Sequence, residues 1–530
     1  MFYMVALVFI LSTLIKLFYI SGNNFAFTPD QGRDLIDIRR MVVTHIPRLV
    51  GPTTSINGVL LGPFYYYFIA IPFILFGGSP AAIVIWQIAW FQISALIIWY
   101  VLRQKNLVLA NITAILLLLS PIGFYTGRYF WNANVMPIFT IIFFACLLDT
   151  LWYRHSYRLV LLGLVAGISL QIEAAFGILF FPFAFLYITV SSLRTGQPAC
   201  RQAGLTPLKQ LLTLSLGFIV TLLPQVFFEF RHGFMMTRTL IAGLSGTSAD
   251  LGAKLLFMER LVERREVFMT AMRQSNHINF EILGPIFALT IFLGIIYLVQ
   301  RKKTKPGNDL VFLSLCFMVF ATGFYLIFPQ HLKNWYVFGL SIPFVILLSG
   351  VLANLYYHSR LGSILLWLVI FYSLFHTLSA HVPYLYENVL LPSSDPSNLA
   401  TELKAVDWVY QEAGGKPFKI YSYLPSIYDY TYQYLFWWYG TGKYGYQPAD
   451  IAYLPDVPEY IQDSSSFWTK RKLFQEGNST FLIIQGDGDH QDRVYAWGGH
   501  FTDLCEIKSF AISSGLTVTK LGPCQKPVKK

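Results

Sequence analysis

The segment Thr28-Pro29-Asp30-Gln31-Gly32-Arg33-Asp34 gathers two carboxylates and a guanidinium in a chain that mostly avoids charge. It follows an apolar N-terminal run, Phe2 to Ile20, so these groups are expected at a membrane surface. An acid there can take a proton from an incoming hydroxyl, and cations beside it can hold a phosphate. Other groups of the right kind come from separate loops: Arg128, Asn132 and Asn134; Gln171 and Glu173; Glu229, Arg231 and His232; His331, Lys333 and Asn334. Acids and bases meeting from such loops at one membrane face would suit a lipid-phosphate substrate.

The elements that must position them follow from composition. Of 530 residues, 55% are apolar, 17% aromatic and only 13% charged, which excludes a chain folded around one soluble core. Apolar stretches of roughly 17–25 residues, enough to cross the hydrocarbon layer as helix, recur from Phe2 to about Ser379 and then cease. They give about eleven spans: Phe2 to Ile20, Ala81 to Val101, Leu107 to Ile122, Val135 to Leu151, Leu159 to Ala174, Ala175 to Val190, Leu211 to Phe228, Ile282 to Val299, Leu310 to Phe328, Trp335 to Leu355 and Leu361 to Ser379. The expected fold class is a polytopic α-helical membrane protein, with residues 1–380 as a transmembrane module and 381–530 as a soluble α/β domain. The N-terminal run lacks a basic leader and a small-residue cleavage site, and reads as a retained first helix.

A net charge of +11 does not call for nucleic acid, because many basic residues lie in short loops between apolar segments. With the N-terminus inside, the inner loops are Arg103 to Lys105, Arg154 to Arg158, Arg194 to Lys209, Arg301 to Lys305 and His358 to Arg360, all basic. That parity puts a large first loop (21–80), the other candidate groups and the tail outside. Val59 to Gly77 is apolar but broken by Gly62-Pro63 and Pro72; it reads as an interfacial or re-entrant helix within the first outer loop.

Structural roles compete with chemical ones. Asp30 serves equally well as the N-cap of a helix beginning near Gln31. Arg33, Arg39 and Arg40 fit the wet face of an interfacial helix, and Arg128, His331 and Lys333 fit contacts with lipid headgroups. A carboxylate between Ile172 and Ala174 is costly unless it is paired or functional, which singles out Glu173.

Taken together, the pattern resembles the GT-C glycosyltransferases, in the bacterial branch related to protein O-mannosyltransferases and aminoarabinose transferases. The resemblance covers about the first 380 residues. It rests on an opening span, the acidic motif Pro29-Asp30-Gln31-Gly32-Arg33, the Pro-aromatic segment Gly62 to Tyr67, a second outer loop at Arg128 and a late His/Lys-aromatic-Pro segment, His331 to Pro343. It implies an inverting glycosyltransferase of the cell envelope that moves a sugar from a polyprenyl-phosphate donor to a glycan, lipid or protein acceptor at the outer face of the cell membrane. Carried over, Asp30 would be the general base. Arg33, Arg128, His331 and Lys333 would bind the donor phosphate, with Asp34, Asn132, Asn134, Gln171 and Glu173 as supporting polar groups. A leaving group that is already a phosphate needs cations more than a second acid.

Departures stand beside these matches. The acid that often follows the motif Asp is Gln31, the second-loop acid of many relatives is Asn132 or Asn134, and the Lys that some relatives carry before the Pro-aromatic helix is Gly62. A divalent cation thus stays an open cofactor, with Glu173 or Asp34 as extra ligands to Asp30. A polymerase or ligase of lipid-linked glycans would use the same face, and a lipid-linked sugar flippase would favour broken spans and internal repeats.

In the tail, Asn398 to Glu412 reads as an amphipathic helix, Phe418 to Tyr423 and Thr480 to Gln485 as strands, and Gly414-Gly415 and Gly486 to Asp489 as turns. The aromatic run Tyr428 to Tyr446 reads as core or interface packing ahead of a sugar platform. Cys505 and Cys524 are the only cysteines there, and would pair if the tail lies outside an oxidising cell.

Overall fold

A computed structural model describes residues 2–54, 56, 58–153, 155–195, 206–245, 255–276, 306–387, 391, 393–425, 428–456 and 479–524. Among the described residues seven helices are long and apolar enough to cross a bilayer: Tyr3–Asn23, Pro80–Arg103, Asn132–Tyr153, Pro207–Arg231, Gly307–Ile327, Asn334–His358 and Arg360–Leu385. Shorter apolar helices accompany them at Phe64–Leu75, Leu107–Leu119, Ser156–Ile172 and Ala174–Val190. Every expected span coincides with one of these helices except Ile282 to Val299, which lies outside the described residues together with the Arg301 to Lys305 loop. The chain is a multi-pass membrane protein with a C-terminal sheet domain. Phe64–Leu75 and Leu107–Leu119 have 12 and 13 residues, about 18–20 Å of helix, each too short by itself to cross a layer of about 30 Å.

By its contacts the chain divides into two compact units. The first comprises Met1–Lys16, Arg48–Phe68 and Ile85–Val382. Here Ser156–Ile172 and Pro207–Arg231 cross on glycine: a Cβ on Gly163 would stand 2.1 Å from the Leu214 carbonyl oxygen, and one on Gly217 would stand 2.3 Å from that of Val160. Only bare backbone allows that approach, the usual way membrane helices pack when apolar surface gives no net drive. The Leu107–Leu119 helix is buried almost throughout and ends where Ser120 caps the next turn through the Gly123 N–H. Lys16, wholly buried in the first span, donates to Gln92 at 3.2 Å and lies 4.5 Å from the Phe91 ring centroid and 5.0 Å from that of Phe124.

The second unit comprises Leu17–Pro47, Ile69–Val84 and Pro383–Lys530. Its sheet has strands β1 (Phe418–Tyr423), β2 (Asp450–Ala452), β3 (Ser479–Gln485), β4 (Leu504–Ser513) and β5 (Leu516–Pro523), in the order β2-β1-β3-β5-β4. β1 runs parallel to β2 and β3, while β5 is antiparallel to β3 and β4. Alternation along β1 sends Tyr421 and Tyr423 into a cluster with Leu482, Trp497, Phe501 and Leu521. Phe418 instead meets Tyr410 of the helix Leu399–Ala413. That helix starts where the Asn398 side chain accepts the Ala400 N–H at 3.0 Å and stops at Gly414, whose φ of 58° suits glycine. Cys505 and Cys524 form a disulfide between β4 and the end of β5. The aromatic run packs as core: Tyr432, Tyr434, Phe436 and Trp437 are buried, and the Tyr434 hydroxyl donates to the Gly78 carbonyl.

Candidate functional site

Asp30, Arg33 and Asp34 come together in the second unit, on the helix Pro29–Thr44. The helix begins two residues earlier than an Asp30 cap would require. Thr28 is the N-cap and Pro29 takes the first helical position, where its missing N–H costs nothing. Gln31 closes the turn by accepting the Thr28 N–H at 2.7 Å. Gln31 therefore has a structural task, and the N-cap reading of Asp30 is corrected: its carboxylate sits in the first turn, 52% exposed, instead of at the cap.

Arg33 bridges two acids. Its Nη1 lies 3.0 Å from Asp30 Oδ1, and its Nη2 lies 2.9 Å from Asp34 Oδ1. Asp34 is buried, and burial raises its carboxyl to about 6 against the opposing pull of Arg33, with Asp30 and Asp37 pushing the same way as burial. One face of the helix is fixed by Gly32, where a Cβ would stand 2.7 Å from the Tyr430 carbonyl carbon and the Thr431 nitrogen. Further along, the buried Arg39 guanidinium lies 4.8 Å from the Trp437 ring centroid. The aromatic segment thus serves as the bed on which the acidic helix lies.

The remaining candidates belong to the first unit. Arg128 lies in the turn between Pro121–Tyr125 and Asn132–Tyr153, half-buried, its N–H donating to the Tyr125 carbonyl at 3.2 Å. Asn134 donates to the Tyr129 carbonyl at 2.9 Å, which closes that turn. Asn132 donates to the Ile172 carbonyl at 2.9 Å and to Glu173 Oε2 at 3.4 Å. Glu173 is buried and extended between two helices, and its Oε1 accepts the Ala175 N–H at 3.4 Å. The break expected at Ala174 falls at Glu173, and the helix end it caps accounts for a carboxylate in an apolar run.

Gln171 is a clamp. Its Oε1 accepts the Phe64 N–H at 3.2 Å, and its Nε2 donates to the Thr221 carbonyl. A Cβ on Gly62 would stand 2.2 Å from Gln171 Cγ, so this position has no room for any side chain while Gln171 holds that loop.

His331 and Lys333 are exposed. Lys333 Nζ lies 5.1 Å from the Trp335 ring centroid, and Trp335 meets Trp131 at 5.9 Å, which joins the late segment to the second loop. His331 Nδ1 pairs with Glu263 at 2.9 Å. Glu263 and its neighbour Arg264 escaped the sequence reading; their signal is the charged run Glu259 to Glu266 on a helix, Phe257–Ser275, between apolar spans. Among the described residues no three of His, Cys, Asp and Glu gather to hold a metal ion. Beside Asp30 and Asp34, the counter-charge is the Arg33 guanidinium.

The solved structure of ArnT from Cupriavidus metallidurans bound to undecaprenyl phosphate superposes with a TM-score of 0.57 over 97% of each chain, at 13% identity. The chain has the fold of ArnT. The apo state of ArnT matches with the same TM-score and coverage, at 12% identity. Arabinofuranosyltransferase AftD from Mycobacteria superposes more loosely, with a TM-score of 0.46 over 98% of this chain and 40% of AftD. No protein-family model matches the sequence, and no curated protein matches it. The expected fold, a helical transmembrane module followed by a sheet domain, is the fold found.

Proposed function

We propose that this chain is an inverting membrane glycosyltransferase that takes a sugar from a polyprenyl-phosphate donor and transfers it to an acceptor at the outer face of the membrane. The observation that carries this reading is the ArnT fold over nearly the whole of both chains, in a structure bound to undecaprenyl phosphate. Residues 1–380 act as the transmembrane catalytic module and 381–530 as an extracytoplasmic domain, an orientation supported by the basic inner loops and by the Cys505–Cys524 pair.

In the reaction Asp30, half-exposed in the first turn of its helix, removes the proton of the acceptor hydroxyl. The oxygen attacks the anomeric carbon from the face opposite the lipid phosphate, and the carbon–oxygen bond to that phosphate breaks with inversion. The departing phosphate keeps the electron pair, and cations offset its charge, a role that the resemblance gives to Arg33, Arg128, His331 and Lys333. Arg33 also keeps Asp30 in place, while Asp34 holds Arg33 from the buried side. If a divalent cation takes part, Asp30 and Asp34 are its nearest carboxylates on this helix, and it would supply further charge to the phosphate.

The test is transfer of radiolabelled sugar from a panel of polyprenyl-phosphate donors in membranes carrying the protein. Transfer from a monophosphate donor supports this reading. Use of a diphosphate-linked glycan alone would replace it with a polymerase or ligase, and movement of lipid-linked sugar across the bilayer without transfer would replace it with a flippase.

A further inference from the structure

We infer that Glu263 is a positioning residue of the donor-phosphate site, acting through His331 and the backbone that carries Lys333; this rests on the donor-phosphate reading of His331 and Lys333 given above. Glu263 lies on the helix Phe257–Ser275, far in sequence from the segment it holds. Its Oε1 takes His331 Nδ1 at 2.9 Å, and both of its carboxylate oxygens accept the Leu332 N–H at 3.3 Å. Arg264, buried beside it and paired with it, donates to the carbonyls of Tyr325 at 3.1 Å, Phe328 at 3.1 Å and Gln330 at 2.5 Å.

The two neighbours divide the work. Carbonyls at the end of the Pro306–Ile327 helix and just beyond it need donors, and one guanidinium with five N–H groups satisfies three of them, which is a structural task. Glu263 does something that burial does not demand, because the imidazole it holds is 59% exposed. With Nδ1 engaged by the carboxylate, Nε2 is the ring nitrogen left for a ligand, and the contact favours that orientation of the ring. One residue beyond Leu332, the Lys333 ammonium rests against Trp335 and makes no ion pair among the described residues. Two groups able to carry positive charge are thus presented on a segment ordered in advance, which reduces the ordering cost of binding a phosphate ester.

The test uses the full-length protein in nanodiscs with undecaprenyl phosphate as the probe. Glu263→Ala is expected to weaken binding about tenfold, whereas Glu263→Gln, which keeps an acceptor for Leu332 and His331, stays within about threefold of wild type. In a His331→Gln background the Glu263→Ala step should cost less than about threefold, since the imidazole it positions is gone. An equal loss in both backgrounds overturns the role of His331, and no loss in either overturns the inference. Hydrogen exchange reads the positioning without any ligand: the Leu332 amide should exchange faster in Glu263→Ala and near the wild-type rate in Glu263→Gln, and unchanged exchange in Glu263→Ala overturns it. Wild-type protein that binds no undecaprenyl phosphate would overturn the donor reading itself, while the exchange result still decides whether Glu263 holds the segment.

Discussion

The Asp30 carboxylate and the Arg33 guanidinium meet at 3.0 Å across one turn of the Pro29–Thr44 helix, and the same guanidinium reaches the buried Asp34. One cation serving an exposed acid and a buried acid ties the proposed base to the interior of its unit. Removing the cation therefore has two effects.

Arg33→Ala should leave the Asp34 carboxylate without its counter-charge, at about 3–5 kcal/mol of stability, and should also weaken donor binding. Arg33→Lys should recover most of the stability and less of the binding, because an ammonium cannot bridge both acids in a planar fork. Thermal unfolding in detergent, followed beside donor titration, separates the two effects. Equal recovery of both by lysine would show that point charge suffices.

Asp34 titrates in an accessible range. Its folded carboxyl is raised from the ordinary 3.8 to about 6, so between those values the folded state holds a proton that the unfolded state has lost. Stability is therefore greatest below that window and falls as pH rises through it, by roughly 3 kcal/mol in all. Asp34→Asn should flatten the dependence between pH 4 and 6. A slope that survives the substitution would assign it to another group.

Gly32→Ala should displace the acidic helix, because the new methyl would stand 2.7 Å from backbone atoms of Tyr430 and Thr431 that cannot swing aside. A cost of about 1–3 kcal/mol is expected, with transfer falling further than stability alone explains. Unchanged melting would mean that the contact gives way freely.

The spans were legible because a helix crossing lipid must be apolar along its whole length. The first strands of the tail were legible because Phe418 to Tyr423 and Thr480 to Gln485 are rich in aromatic and β-branched residues, and turn signals bound them. The β4–β5 hairpin was not: β4 is exposed along most of its length, so no buried face sets its pattern. Asp30 was legible as an acid at a helix start, but not its place in the turn, since Thr28, Pro29 and Gln31 together fix the register and each is unremarkable alone. Gln171 looked like a polar group for chemistry because nothing in its neighbours announces that Gly62 and Phe64 lie against it. Glu263 and His331 lie far apart in sequence, and only folding makes them a pair.

The Cys505–Cys524 link closes a segment with a sequence separation of 19. Replacing both cysteines with alanine should destabilise the sheet by about 2–4 kcal/mol, read as faster proteolysis of the tail in intact cells. Non-reducing peptide mapping of protein from cell membranes should find the bond formed, as an extracytoplasmic tail requires; free thiols at both positions would argue for the opposite orientation.

The most direct measurement is transfer of radiolabelled sugar from a polyprenyl-phosphate donor by wild-type protein and by Asp30→Asn, in membranes with matched expression. If Asp30 takes the acceptor proton, the variant should bind donor with near wild-type affinity while its transfer rate falls by about 100-fold or more, the usual worth of a positioned general base. Equal transfer by both proteins would contradict the assignment of Asp30 as the catalytic base.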